Sequence, residues 1–221
     1  MRALHIDLET YSSVDIKKAG LYRYVQSPDF QILLFAYSVD GGAVSVIDCA
    51  SGEWIPEDVI QALGDQTIEK VAHNAAFEIC CLNKSFHSPA CQWHCTMVHS
   101  LYCGFPASLD AVGKAMGLPE DKRKMGVGKQ LIRYFCTPCT PTARNGGRTR
   151  NLPHHDRAKW QLFKDYCRQD VATEMEIYRR LERYPIPEQE RQNWILDQRI
   201  NMEGVRVDTG LIAGALGLYA R

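Results

Sequence analysis

Two carboxylates, Asp7 and Glu9, stand in the first ten residues, MRALHIDLET, inside a run that otherwise reads as a buried strand. Side chains alternate along a strand, so Leu4, Ile6 and Leu8 share one face and His5, Asp7 and Glu9 the other. Neighbouring anions repel unless a basic side chain or a divalent cation lies between them. A third acid, Glu78, follows Asn74 by four residues in VAHNAAFEICC, where a strand ends and a helix begins. Ligands in α/β proteins collect at strand ends, although an acid in a first helical turn also gains about 0.3–1 kcal/mol from the helix dipole. Tyr166 and Asp170, in DYCRQDVATE, are four residues apart and share one helix face. Each precedes a member of an apolar stripe, Cys167 or Val171, which places both at the rim of the buried face. Singly, these signals also describe a strand with one wet face, a helix-capping charge and a solvated Asp beside a half-buried Tyr.

Their order and spacing carry more than any one of them. D-x-E on a first strand, N-x-x-F-E after a later strand and Y-x-x-x-D on a C-terminal helix resemble the three motifs of the DEDD-type 3′ to 5′ exonucleases, tyrosine subclass. The pattern is similar in particular to the proofreading domains of family-A, phage-like DNA polymerases. SLDAVGKAMGL resembles the helix between the second and third motifs, and RINMEGVRVD the segment that leads on into a polymerase region. The resemblance covers residues 1–185, with residues 186–221 as linker and truncated start of the polymerase region. It implies an α/β fold of the RNase H-like, DnaQ-like kind, a mixed sheet flanked by helices.

It further implies that Asp7, Glu9, Glu78 and Asp170 hold two divalent metal ions, Mg2+ or Mn2+, and that Tyr166 helps orient the attacking water. Thr10 and Asn74 match positions that contact the terminal nucleotide or brace the site. The implied partners are DNA, as a single-stranded 3′ end or frayed primer terminus, and the polymerase region of the same polypeptide. Phosphodiester hydrolysis needs an activated nucleophile, a stabilised leaving 3′ oxygen and relief of charge on the phosphate. Two cations about 4 Å apart meet all three needs, and four carboxylates balance their charge. One position departs from the pattern: the second motif usually ends in Asp, and here it is Glu78. That methylene is the only support for an alternative, an inactive domain that keeps the fold as a structural or DNA-binding part of a polymerase.

The elements that must position these residues are legible around them. QILLFAYSVD and GAVSVIDC, joined by Asp40-Gly41-Gly42, give a hairpin signal. A short helix from Pro56 to Leu63, a strand at EKVAHN, a helix from Ala75 to Leu82 and a short strand at WHCTM follow. Further helices run to Tyr102, from Leu109 to Met116 and from Gln130 to Phe135. Residues 138–153, PCTPTARNGGRTRNLP, read as a mobile surface loop. Trp160, Phe163, Cys167, Val171, Met175, Tyr178 and Leu181 then recur at three and four, which predicts a long amphipathic helix. Another helix ends at Gly204, VRVD is extended, and a last helix starts at Leu211, so the chain reads as a piece of a larger protein.

Composition narrows the class. The 221 residues carry 26 Lys plus Arg and 26 Asp plus Glu, a balance that neither announces nor excludes nucleic-acid binding. The basic stretch DKRKMGVGK, with Lys122, Arg123 and Lys124, and the loop with Arg148 and Arg150 offer phosphate contacts that the sequence does not assign individually. No apolar run suggests a membrane span, and the polar N-terminus reads as mature cytoplasmic sequence. Nine cysteines without framework spacing fit reduced thiols. A zinc module is the competing use of Cys136-x-x-Cys139 with His154 and His155, or of Cys91, His94, Cys95 and His99.

Overall fold

The computed structural model describes residues 1–120 and 126–219. Lys122, Arg123 and Lys124 therefore lie outside the described residues. Two compact units are present, Met1–Pro187 and Glu188–Arg221.

The first unit is built on a five-stranded mixed sheet. β1 (Ala3–Tyr11) pairs antiparallel with β2 (Gln31–Val39), which pairs antiparallel with β3 (Ser45–Ile47). On its other edge β1 runs parallel to β4 (Glu69–Ala72), and β4 parallel to β5 (Trp93–Cys95), giving the order β3-β2-β1-β4-β5. The β2–β3 turn needs positive φ at successive residues, and Asp40 (50°) and Gly41 (74°) supply it. Asp40 also accepts from the backbone N–H groups of Arg2 and Ala3, which fixes the start of β1. The register of β1 on β2 shifts between Glu9 and Thr10, a bulge at the end of the acidic segment.

Two short helices that the sequence pattern does not announce, α1 (Ile16–Ala19) and α2 (Leu21–Gln26), connect β1 to β2. α3 (Glu57–Gly64) precedes β4, and α4 (Ala76–Leu82) leaves from the end of β4. α5 (Thr96–Tyr102), α6 (Leu109–Ala115) and α7 (Gly128–Phe135) lead to the long α8 (Arg157–Leu181). Asp156 caps α8 by accepting from Lys159 N, and Ser108 caps α6 by accepting from Ala111 N.

The apolar stripe of α8 faces the sheet. Phe163, Cys167 and Val171 are buried with Leu34 and Ala36 of β2 and Phe135 of α7. Each large side chain so buried contributes about 1.5–3 kcal/mol. Farther along, Ile177 and Leu181 pack with Leu109 and Val112 of α6. β4 carries a buried lysine, Lys70, whose Nζ donates to the carbonyls of Asp65 and Ile68 and to Gln92. Those three oxygens replace the water that its charge has lost.

Residues 138–153 are not a loose surface loop. Cys139 N bonds Thr149 O, Arg148 bonds Asn145 O and Asn151 Oδ1, and the Asn151 amide donates to Tyr134 O. The side chains of Asn145, Arg148 and Asn151 satisfy the backbone that no strand or helix does. In the second unit, α9 (Glu188–Glu203) is followed by α10 (Thr209–Tyr219), and VRVD forms no strand with any described residue.

Candidate active site

β1 and α8 build the centre of the site by matched steps. Two residues along a strand advance about 6.7 Å, and four along a helix about 6 Å. His5, Asp7 and Glu9 therefore keep pace with Glu174, Asp170 and Tyr166 as α8 runs back along β1. The outer rung is a hydrogen bond of 2.7 Å between His5 Nδ1 and Glu174 Oε2, both side chains buried. In the middle, the thiol of Cys167 donates to Asp7 Oδ2 at 3.5 Å. At the third rung Glu9 lies close enough to act electrostatically on the Tyr166 phenol.

Tyr166 and Asp170 are fully buried, at 1% and 3% exposure, and not at the rim that the stripe suggests. The reason is that α8 packs on β1, β2 and α7 together, so its covered face is wider than its apolar stripe. The Tyr166 phenol donates to the Asp170 carboxylate, and burial with the Asp170, Glu9 and Asp7 charges pushes its pKa far up. Its ring stacks parallel to Phe163 and lies directly on Gly128, at the start of α7.

Glu78 enters from α4 and is buried. Its carboxylate accepts from the backbone N–H of Leu8, while burial first and the Asp7 charge second raise its pKa well above the usual carboxylate range. Its Oε2 is buried without a hydrogen-bond partner. A second buried thiol, Cys136, donates to Glu9 Oε2 at 3.7 Å. Ligand atoms of Asp7, Glu9 and Cys167 lie within 4.8 Å of one another.

This arrangement suits a divalent cation. Acids from three elements, β1, α4 and α8, repel one another, and Glu78 Oε2 is buried without a hydrogen-bond partner. A cation of hard, oxygen-seeking character would remove the repulsion and could be held by that oxygen.

Thr10 is buried, and its hydroxyl shares a hydrogen bond of 2.8 Å with Tyr24 OH. Asn74 is exposed at the end of β4 with φ of 72°, a left-handed conformation that Asn tolerates better than most residues. The zinc sets do not converge among the described residues. Cys136 faces Glu9, Cys139 donates to Arg148 O, and His155 Nδ1 accepts from Leu152 N. His94 and His99 bond each other, and none of the nine cysteines is in a disulfide. Sequence reasoning missed Gly128, Cys136, Cys167 as a carboxylate partner, and the His5–Glu174 pair. Glu174 alone carried a signal, being four residues beyond Asp170 on the same face.

Residues 6–184 match the sequence family described as 3′-5′ exonuclease, of the A-type DNA polymerases. A DNA polymerase of Bacillus phage SP02 is 49% identical over 219 residues, covering 98% of this chain and 33% of that protein. The chain thus spans about a third of this relative's length. Among solved structures, Trypanosoma brucei RNase D is similar with a TM-score of 0.53 at 16% identity, over 81% of this chain and 57% of that one. The catalytic core of RRP6 from Trypanosoma brucei gives 0.52 at 16% identity, over 90% and 45%. At such identities the likeness concerns the fold, the RNase H-like mixed sheet with flanking helices. No described helix is long and apolar enough to cross a membrane. Three motifs on three elements, the matched family and the shared fold agree: the chain belongs to the 3′-5′ exonuclease family of A-type DNA polymerases, whose members depend on divalent metal ions.

Proposed function

We propose that this domain removes nucleotides from the 3′ end of DNA as the proofreading activity of a DNA polymerase whose polymerising region follows in the same polypeptide. The observation that carries the reading is the convergence of half-buried Asp7 with buried Glu9, Glu78 and Asp170, with an unbonded Glu78 oxygen among them. That oxygen argues against a domain that merely keeps the fold. These four carboxylates would hold two ions, Mg2+ or Mn2+, with Glu78 in the role of the usual Asp. When bound, they lower the pKa of water and stabilise the leaving oxygen.

The side chains do the rest. A protonated Tyr166 phenol suffices: buried beside Asp170, it would orient the attacking water by hydrogen bonding, while the metal supplies the lowering of the water's pKa. Cys136 and Cys167 hold Glu9 and Asp7 in place through weak S–H donors, leaving their other lone pairs for ligation. Thr10, fixed by Tyr24, braces the end of β1, and Asn74, exposed just after β4, is the residue assigned to contact the terminal nucleotide. Water adds to phosphorus, the bond to the 3′ oxygen breaks, and a nucleoside 5′-monophosphate leaves.

A 5′-labelled single-stranded oligonucleotide incubated with Mg2+, Mn2+ or EDTA tests this reading. A ladder shortening from the 3′ end, dependent on metal and abolished in Asp7→Ala, is the expected result. Folded wild-type protein that leaves the label full-length with both metals would overturn it.

A further inference from the structure

Arg150 is the cation that the tied loop delivers to the acidic end of β1. Its guanidinium lies 3.7 Å from the centroid of the Tyr11 ring, and Nη2 donates to Gln31 Oε1 at 2.7 Å. Tyr11 follows Glu9 by two residues and is buried in the same cluster as Tyr166 and Cys136. Glu9 and Arg150 act with opposite sign on one group, the Cys136 thiol, which bonds Glu9. Arg150 thus flanks the carboxylate site on its Glu9 side.

The guanidinium is only partly satisfied there. Its Nε is buried without a hydrogen-bond partner, and no described carboxylate is within ion-pair distance. Burial works against its charge, and Asp29 favours the charge without forming an ion pair with it. A desolvated cation without a counter-ion costs free energy that ordinary loop architecture does not require. Arg148, which only Thr149 separates from Arg150, is by contrast engaged with Asn145 O and Asn151 Oδ1 as a brace.

We propose that Arg150, stacked on Tyr11, is a phosphate-binding residue that clamps the backbone of the substrate strand beside the carboxylate centre. The inference rests on the nuclease reading above and deepens it by assigning one arginine to one class of ligand, a nucleic-acid phosphate. The planar fork suits a phosphate oxygen pair, and the Tyr11 face holds the fork in orientation.

The test separates this claim from the nuclease reading by measuring binding without hydrolysis. Fluorescence anisotropy of a labelled single-stranded oligonucleotide in EDTA is followed across a salt series for wild type, Arg150→Gln and Arg150→Lys. Loss of one phosphate contact makes the slope of log K against log salt shallower by about 0.7 for a single strand. We expect that change in Arg150→Gln, with affinity down about tenfold, while Arg150→Lys keeps the slope and loses part of the affinity. In Mg2+, the KM of Arg150→Gln rises and kcat stays within about twofold. A purely structural role would leave the salt slope unmoved, and a wild-type slope and affinity in folded Arg150→Gln would overturn the proposal. Should Arg150→Gln fail to fold, a weakened affinity is required of Arg150→Lys, and its absence overturns the proposal equally. Wild type that binds but never hydrolyses fails the nuclease reading alone.

Discussion

Gly128 lies flush against the ring of Tyr166: a Cβ at position 128 would stand 2.1 Å from Tyr166 Cε2 and 2.6 Å from Cζ. No atom approaches that closely, so any side chain at 128 moves the phenol or the first turn of α7. Gly128→Ala is therefore expected to lower kcat by about 10-fold or more while costing about 1–3 kcal/mol of stability, the usual range for overpacking. In a Tyr166→Leu background the stability cost of Gly128→Ala should shrink, because the ring it strikes is gone. Equal costs in both backgrounds, read from urea melts, would place the strain elsewhere.

Glu78 is expected to trade stability for activity. Its buried carboxylate faces the Asp7 and Glu174 charges, so Glu78→Gln removes repulsion in the metal-free protein. The variant should be as stable as wild type or up to about 2 kcal/mol more stable in EDTA, yet lose hydrolysis and most of the rise in Tm that Mn2+ gives wild type. Glu78→Asp should retain metal-dependent hydrolysis. Thermal melts with EDTA and with Mn2+ decide the matter; a Glu78→Gln variant still fully stabilised by Mn2+ would remove Glu78 from the ligand set.

The His5–Glu174 pair is buried on both sides, and breaking one partner strands the other. Glu174→Ala or His5→Ala should cost about 3–5 kcal/mol, and the double variant clearly less than their sum. Additive losses in a double-mutant cycle would show that the two side chains act independently.

Stability should fall in alkali between about pH 9 and 11. Burial, with Asp48 second, pushes the Cys49 thiol up to about 11 from its ordinary 9, and Cys81 and Tyr24 are raised by burial as well. The unfolded chain loses these protons first, so the stabilisation is whole below the unfolded values and is lost as the pH rises through the folded ones. Lys70, pushed down to about 8 by burial, works the other way, since its penalty is relieved as the pH rises. The thiols and phenols outnumber it. Urea midpoints at pH 8 and 10.5 under reductant should show the drop, smaller in Cys49→Ala; a flat profile would contradict it.

Local signals in the sequence were enough for the parts that local rules govern. The strand of β1, the Asp40-Gly41-Gly42 turn and the stripe of α8 each appear where apolar patterning and turn chemistry put them. α1 has no buried residue and α2 only Tyr24 and Val25, too few to mark a period. The spacing of Tyr166 and Asp170 puts them on one helix face, but their burial depends on α7 and β2, which the helix sequence does not record. Gly128, Cys136 and Arg150 are meaningful only through partners 38, 127 and 119 residues away, the last counted to Gln31. A glycine without positive φ and a cysteine without a pair give no sign of such a role. Residues 138–153 lacked periodicity and still hold together, since side-chain amides rather than a backbone ladder fasten them.

The agreement of step between β1 and α8 makes the two elements behave like meshed gear teeth. One residue inserted between Asp7 and Glu9 would turn one acid to the far face of the sheet, and one inserted between Tyr166 and Asp170 would swing the acid about 100° around the helix. Neither error can be absorbed by a small shift, because the next tooth, His5 on Glu174, is already locked. Substitution at these positions is therefore a question of chemistry, as Glu78 illustrates on its separate helix, whereas length between them is not negotiable.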